Sequence, residues 1–386
     1  MIMTNTLYTW NNLDILPTLP DNSVDAIVTD PPYWLSFMGK KRDYDVPSQK
    51  LWEECLRVLK PWGYLLAFAG TRTQHRMAVR IEDAWFEIRD MIAWVYGSGF
   101  PKSLNIGKAV DKLQGNEREE THKETKADST YHTQNVGETI KNTSTYSVTK
   151  GTSEWEGWWT ALKPALEPIT MARKPLSENT VAENVLKWGV GGINIDESRV
   201  GTDIVKTTAH KTLGDGIKYG KSKPFGESEE RTGRFPANLI HDGSDEVVEL
   251  FPWEWDKSAS RFFYAPKASK SERNMWCEDI PIKDPDHRSD TWKGSYVDKW
   301  IAPQSNSHPT VKPIALMEYL VKLVSKEWAI VLDPFAWSGS TLIACKKLDR
   351  KYIGIEMTEE YIPIIEARLN ATVKEELEEE KQPSLF

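Results

Sequence analysis

Cysteine is scarce in this 386-residue chain: Cys55, Cys277 and Cys345 are the whole complement, and no two are spaced as a metal-binding pair. So small and odd a number excludes a disulfide framework and sets the expectation of a reduced, cytoplasmic protein. Long apolar runs and a secretory leader are also absent, so neither membrane insertion nor export is expected. His75, His122, His132, His210, His241, His287 and His308 fall at no zinc spacing with one another or with the cysteines, so no metal is expected. There is no Gly-x-Ser-x-Gly elbow and no phosphate-binding Lys-Ser/Thr loop, which removes two large enzyme classes. Positive charge is in deficit: 49 Lys and Arg stand against 57 Asp and Glu, a formal net charge of −8. A chain so balanced meets a polyanion only through a local basic face. Part of the deficit sits in Glu375-Glu376 and Glu378-Glu379-Glu380, read as a solvated, frayed end within an acidic tail, 374–386.

What the chain does contain begins with Asp30-Pro31-Pro32-Tyr33. These residues follow a short apolar run, Val24-Asp25-Ala26-Ile27-Val28-Thr29, that reads as a buried strand ending in a tight turn. Two prolines lock the backbone and remove two N–H donors. The turn is left with acceptors, the Asp30 carboxylate and the Pro31 carbonyl, beside the Tyr33 ring. Acceptors next to a stacking face suit the exocyclic amine of adenine or cytosine flipped out of a duplex. A proline turn with an ordinary capping aspartate would look the same, and the tetrapeptide alone leaves both readings open.

A second segment lies far downstream. Ala329 to Phe335 reads as a buried strand and runs through the turn Ala336-Trp337-Ser338-Gly339-Ser340-Thr341 into a helical stretch, Leu342 to Leu348. A further strand, Tyr352 to Ile355, ends at Glu356. Strand, small-residue turn, helix, strand and acid make a nucleotide-type βαβ unit. Alone, this pattern equally describes any βαβ crossover that ends in a glutamate.

Together the segments resemble the DNA amino-methyltransferases that use S-adenosyl-L-methionine. In that family the Asp-Pro-Pro-Tyr motif is catalytic and an Asp-Pro-Phe-x-Gly-x-Gly segment lies at the methionine part of the cofactor site. His308-Pro309-Thr310-Val311-Lys312-Pro313 is similar to the family motif just upstream of the cofactor strand. The catalytic motif precedes the cofactor motif, an order that resembles the permuted beta class. Lys163-Pro164-Ala165-Leu166-Glu167-Pro168 and Arg234-Phe235-Pro236-Ala237-Asn238 extend the likeness, which is closest to solitary phage and prophage enzymes.

The resemblance implies Asp30, Pro31, Pro32 and Tyr33 as catalytic residues. It implies Asp333, Pro334, Phe335, Ser338, Gly339, Ser340, Thr341, Glu356, His308, Thr310 and Lys312 at the cofactor. It also implies S-adenosyl-L-methionine as cofactor and DNA as partner, with the base flipped from the duplex. A homodimer is among the assemblies it allows. Asp at the first motif position favours adenine N6 over cytosine N4.

The rest of the chain fits an α/β protein with a mixed, mostly parallel sheet, helices on both faces and an inserted target-recognition region, a Rossmann-like methyltransferase fold. A short strand is expected within Met1–Asp14, a helix over Ser48–Leu59, strands over Gly63–Gly70 and Phe86–Tyr96, and a helix over Thr71–Ala84. Residues 1–96 then form the catalytic half, 97–307 the insert with some core elements, and 308–373 the cofactor half. Within the insert, 107–154 is polar, and its centre reads as a mobile or disordered segment. Leu166–Ala172 reads as a core strand and Arg261–Tyr264 as another strand. Lys206, Lys211, Lys218, Lys221, Lys223, Arg231 and Arg234 are candidates for phosphate contact, with Lys267 and Lys270 in a second basic stretch. Asp25 reads as a strand-surface residue rather than a second catalytic acid.

Tryptophan is in excess, with 17 residues. Several stand where the resemblance calls for glycine: Trp337 in the cofactor turn, Trp34 after the catalytic motif and Trp62 in Lys60-Pro61-Trp62-Gly63. Trp10, Trp85, Trp159 and Trp276 look similar. Glycine in such turns supplies a positive φ or lets a backbone approach a ligand closely. Either the chain carries these tryptophans and is impaired, or its gene uses UGA for glycine and the codon has been written as tryptophan. The second account is favoured, because one codon would scatter one substitution over unrelated turns.

Overall fold

The computed structural model describes residues 2–33, 45–97, 99, 103–132, 139–206, 230–254, 257–266, 277 and 311–379. The chain divides into two compact units, one of Met1–Gly97, Leu166–Pro281 and Ser305–Phe386, the other of Ser98–Ala165 and Ile282–Gln304.

The first unit is built on an eight-stranded sheet. In chain order its strands are β1 (Thr6–Tyr8), β2 (Val24–Thr29), β3 (Leu59–Phe68), β4 (Glu87–Val95), β5 (Leu166–Arg173), β6 (Leu239–His241), β7 (Ile330–Asp333) and β8 (Lys351–Ile355). In space they run β1-β8-β7-β2-β3-β5-β4-β6. Every pairing is parallel except those of β5, which is antiparallel to β3 and β4. The alternation of strand and helix patterns argues for a parallel sheet, and the mixed, mostly parallel sheet is the one the family resemblance implies.

Side chains alternate across the sheet and feed a core on each face. Ile27, Leu65 and Leu332 pack with Trp52 of α1 (Gln49–Val58) and Met77 of α2 (Gln74–Asp83). Ala26, Val28, Leu66 and Val331 pack on the opposite face with Leu316 and Leu320 of α3 (Ile314–Val324). Central strands covered on both sides read as apolar runs rather than alternations. α1 begins where the Ser48 side chain accepts from the Leu51 N–H, and it buries Leu51, Trp52, Cys55 and Val58 along one stripe.

Asp25 is not on the surface. Only 7% exposed, it accepts from Lys60 Nζ at 2.6 Å and from the Ile330 N–H at 2.7 Å, joining β2 to its neighbours. A buried carboxylate is tolerated because both partners are in place. The polar stretch opens with a helix, Ile106–Gln114, and carries two antiparallel strands, Glu119–His132 and Thr139–Lys150, with residues 133–138 outside the described residues. Threonine-rich strands pair locally without an apolar run to announce them. Arg261–Tyr264 is not a strand. A 3₁₀ turn, Ala259–Phe262, forms there because the Ser258 hydroxyl accepts from the Ser260 N–H. Tyr264 keeps a single bridge to Ile240. Near the C-terminus a helix continues through Glu379. No helix among the described residues is long and apolar enough to cross a membrane.

What positions the site is the register of β7 on β2, Val331 opposite Ala26 and Leu332 opposite Ile27. The turns after Thr29 and Asp333 therefore leave the carboxyl ends of adjacent parallel strands, where open α/β sheets bind ligands.

Candidate active site

The first turn is pinned through Asp30. The Tyr33 hydroxyl donates to Asp30 Oδ1, and Lys312 Nζ donates to Asp30 Oδ2 at 2.7 Å. Lys312 Nζ also lies 3.1 Å from Glu167 Oε2, which in turn lies 3.3 Å from the Tyr33 hydroxyl. The Thr73 hydroxyl donates to the Tyr33 carbonyl at 2.7 Å and fixes the end of the turn. One ammonium, 6% exposed, thus serves two carboxylates. Burial alone would push the Lys312 pKa down, but Asp30 and Glu167 more than offset it and hold the ammonium above the usual lysine range. Burial, reinforced by the same two carboxylates, raises the Tyr33 phenol well above its ordinary value, so the ring stays neutral.

The second turn is pinned through Asp333. Its Oδ1 accepts from the Thr29 hydroxyl at 2.7 Å and the Phe335 N–H at 3.0 Å. Burial pushes its pKa up to about 7, against the pull of hydrogen bonds from Thr341, Thr29 and the Phe335 N–H. A raised carboxyl pKa stabilises the fold below the unfolded value near 4, and that stabilisation is lost as pH rises towards 7. Asp333→Asn, which cannot ionise, should therefore gain on the parent across that window. The expected gap is a few kcal/mol by pH 7.5 (about 2–4), read from urea unfolding between pH 4.5 and 7.5. A constant gap would remove the argument.

Asp333 acts as a clamp between the turns and does not line the cavity beside them. That cavity, of about 240 Å³, is lined by Pro32, Pro334, Phe335, Trp337, Glu356 and Met357 among others. Glu356 directly follows β8, where its Oε1 accepts from the Thr358 N–H at 2.7 Å and its Oε2 from the Trp337 N–H at 2.9 Å. Gly339 has φ 80° and caps α4 (Ser340–Lys347), and a Cβ there would lie 3.0 Å from Ile365 Cγ2. The Ser340 hydroxyl donates to the Lys312 carbonyl at 3.0 Å, tying the Lys312 segment to this loop. Arg368, fully buried, donates to the Ser338 carbonyl at 2.5 Å.

The structure thus brings Asp30, Pro31, Pro32, Tyr33 and Lys312 together at one turn, and Asp333 to Thr341 with Glu356 at the next. Lys312, grouped by resemblance with the cofactor residues, reaches Asp30. His308 and Thr310 lie outside the described residues, as do Lys211, Lys218, Lys221, Lys223, Lys267 and Lys270. Lys206 ends the strand Val200–Lys206. Arg231 lies 3.4 Å from Asp196 Oδ1, and Arg234 stacks on Phe262 at 3.9 Å. Two residues escaped the sequence reading. Glu167 was visible only as part of a similar segment, and nothing local marks Arg368.

Comparison with known proteins settles the lineage. The family profile described as DNA methylase, N6_N4_Mtase, matches residues 24–367. The chain belongs to that family. Its cofactor is S-adenosyl-L-methionine. The chain is similar to the type II methyltransferase M.HindIII of Haemophilus influenzae, with 24% identity over 305 residues, 78% of this chain and 62% of that protein. It is also similar to the type II methyltransferase M2.DpnII of Streptococcus pneumoniae, with 35% identity over 119 residues, 30% of this chain and 43% of that protein. The matches therefore span less than two thirds of either relative. Among solved structures, the cytosine-N4-specific PvuII DNA methyltransferase aligns over 97% of this chain and 92% of its own, at 13% identity and a TM-score of 0.47.

The nucleoside end of such a cofactor fits the cavity: a buried carboxylate at a strand end faces an apolar wall made by Phe335 and Pro334. From the loop, Trp337 reaches across to the other turn and its Nε1 donates to the Asp30 carbonyl at 2.5 Å. The indole therefore stands between the Glu356 side of the cavity and the Asp30 turn.

Proposed function

We propose that the protein methylates the exocyclic N6 of adenine in DNA at a specific site. The observation that carries this reading is the convergence of the Asp30 turn, the Asp333 turn and Glu356 at the carboxyl ends of three neighbouring strands, β2, β7 and β8. S-adenosyl-L-methionine brings an activated methyl on sulfonium sulfur. The chain's own task is to hold and polarise the acceptor amine, a nitrogen weakened as a nucleophile by delocalisation into the ring. The Asp30 carboxylate and the Pro31 carbonyl accept its two hydrogens and favour the pyramidal nitrogen of the transition state, an electrostatic contribution. Tyr33, kept neutral by burial, offers its ring to the flipped base, and the amine takes the place its hydroxyl holds on Asp30 Oδ1. Lys312 stays on Oδ2 and fixes the carboxylate's orientation. Glu356 is suited to the ribose hydroxyls. No cysteine is needed, and Cys55 and Cys345 are buried thiols whose pKa values burial raises.

Residues 97–307 are proposed to supply most of the target recognition, in a cytoplasmic enzyme of the restriction–modification type. Asp rather than Ser at position 30 supports adenine over cytosine. The test is incubation with labelled cofactor and DNA followed by separation of the nucleosides. Label in N6-methyladenine is expected, and label in N4-methylcytosine would overturn the base assignment.

A second reading, a DNA-binding homologue without turnover, draws support from the Trp337 indole. Calorimetry with S-adenosyl-L-methionine separates the two, since binding by the chain with Trp337 would remove that support.

A further inference from the structure

Among the described residues, seven non-glycine positions have positive φ: Asn5, Asn22, Asp349, and the tryptophans Trp62 (72°), Trp85 (70°), Trp328 (66°) and Trp337 (47°). Asn and Asp visit the left-handed region readily, while a bulky side chain there is an outlier. Four tryptophans and no other large residue share this conformation. At least three of them fill the glycine slot of a definable turn.

Trp85 follows α2. Its N–H donates to the Glu82 carbonyl at 2.8 Å and the next N–H, of Phe86, to the Ile81 carbonyl at 3.3 Å. Those two bonds define a Schellman motif, and Trp85 is its left-handed residue, where glycine is usual. Trp328 is the third residue of the turn closed by the Ala329 N–H on the Lys326 carbonyl at 3.2 Å. With positive φ at Trp328 alone, this is the type II arrangement that wants glycine there. Trp337 is the second residue of the turn closed by the Gly339 N–H on the Ala336 carbonyl at 2.7 Å. Positive φ at that place is the type II′ arrangement, with glycine first of the central pair.

Trp62 lies at the irregularity between β2 and β3, packed under Arg173 at 3.3 Å from its ring centre. Its indole is accommodated because Gly191 has no Cβ, which would come within 2.0 Å of Trp62.

We infer that positions 62, 85, 328 and 337 are glycine in the functional protein, specified by a codon that its source reads as glycine and that has been written as tryptophan. The structure redraws the set suspected from sequence. Trp328 enters it. Trp10 and Trp159 have ordinary φ, so backbone conformation gives no argument for glycine there, and Trp34 and Trp276 lie outside the described residues. Trp52 and Trp94, in the core with ordinary φ, are tryptophan on either account. Glycine at 337 also removes the indole from between the cavity and Asp30. Only this last consequence rests on the proposed cofactor reading.

The test has independent arms. In the source genome, UGA is expected at 62, 85, 328 and 337 and UGG at 52 and 94, and UGG at all six would overturn the inference. Trp85 and Trp328 are 77% and 67% exposed, so their indoles contribute little packing. Trp85→Gly and Trp328→Gly should each raise Tm by about 1–3 °C, because relief of the backbone outweighs the flexibility glycine adds. Trp10→Gly, 63% exposed with ordinary φ, should leave Tm unchanged or lower it. A fall in Tm for both Trp85→Gly and Trp328→Gly would overturn the inference. In calorimetry, Trp337→Gly should bind S-adenosyl-L-methionine at least about tenfold more tightly than the chain as written. Stabilisation at 85 and 328 with no gain at 337 would uphold the glycine assignment and overturn the cofactor reading instead.

Discussion

Asp30→Ala in a Trp337→Gly background is expected to lower methyl transfer by about 10²–10³-fold, the usual range for losing one preorganised group that acts on the transition state. In the proposed mechanism the carboxylate accepts one amine hydrogen, and the Pro31 carbonyl, engaged with the other, does not replace it. The fold should survive, because Lys312 keeps Glu167 as a partner at 3.1 Å. Cofactor affinity should stay within about threefold of the parent, since Asp30 does not line the cavity that holds Glu356. Single-turnover rates with labelled cofactor, alongside calorimetry, separate the two effects. A loss below tenfold would take Asp30 out of the catalytic role, and a matching loss of cofactor affinity would place it in binding instead.

The second large effect is expected at Lys312, and it appears in stability as well as rate. Lys312→Met leaves Asp30 and Glu167 facing one another without the ammonium that now lies 2.7 Å and 3.1 Å from them. Removing one partner from a buried ionic group typically costs about 3–5 kcal/mol, because the charge left behind has neither water nor a counter-ion. Glu167→Gln added to Lys312→Met removes one of the two stranded charges and should recover at least about 1 kcal/mol, a coupling expected only of groups in contact. Urea unfolding of the parent, both single variants and the double variant measures that coupling. Strict additivity would show that Lys312 and Glu167 do not act as a unit. Glu167→Gln alone should lower the rate more than it raises the cofactor KM, since Glu167 acts on the Tyr33 and Lys312 side of the site.

Much of the site was legible in short stretches of sequence because turn chemistry is local. Asp30-Pro31-Pro32-Tyr33 after a buried run, and a strand, loop, helix and strand ending at Glu356, each carry their geometry within a few residues. That is why both turns fall at strand ends as read. The same locality explains the suspicion about tryptophan, since Trp62, Trp85 and Trp337 stand in turns whose neighbours already ask for glycine. Trp328 was missed because Lys326-Glu327-Trp328-Ala329 carries no motif, and its left-handed φ appears only once the turn is closed. Trp10 and Trp159 resembled the others in sequence, yet their backbones need nothing unusual.

By itself the sequence determined most strands and helices of the core, though not β6 or the C-terminal helix Ile362–Glu379, together with the two turns that carry the acceptors and the acid, and the family expectation. Tertiary structure alone decided which distant residues share a charge. Glu167 enters the site because β5 inserts antiparallel between β3 and β4, and Lys312 enters from a loop 282 residues beyond Asp30. Asp25 became an interior anchor because β3 and β7 present Lys60 and the Ile330 N–H to it. Arg368 reached the Ser338 carbonyl from a helix that carries no functional motif. Burial and ion pairing depend on what packs against a residue from elsewhere in the chain, whereas turns and periodic elements are written in neighbouring residues.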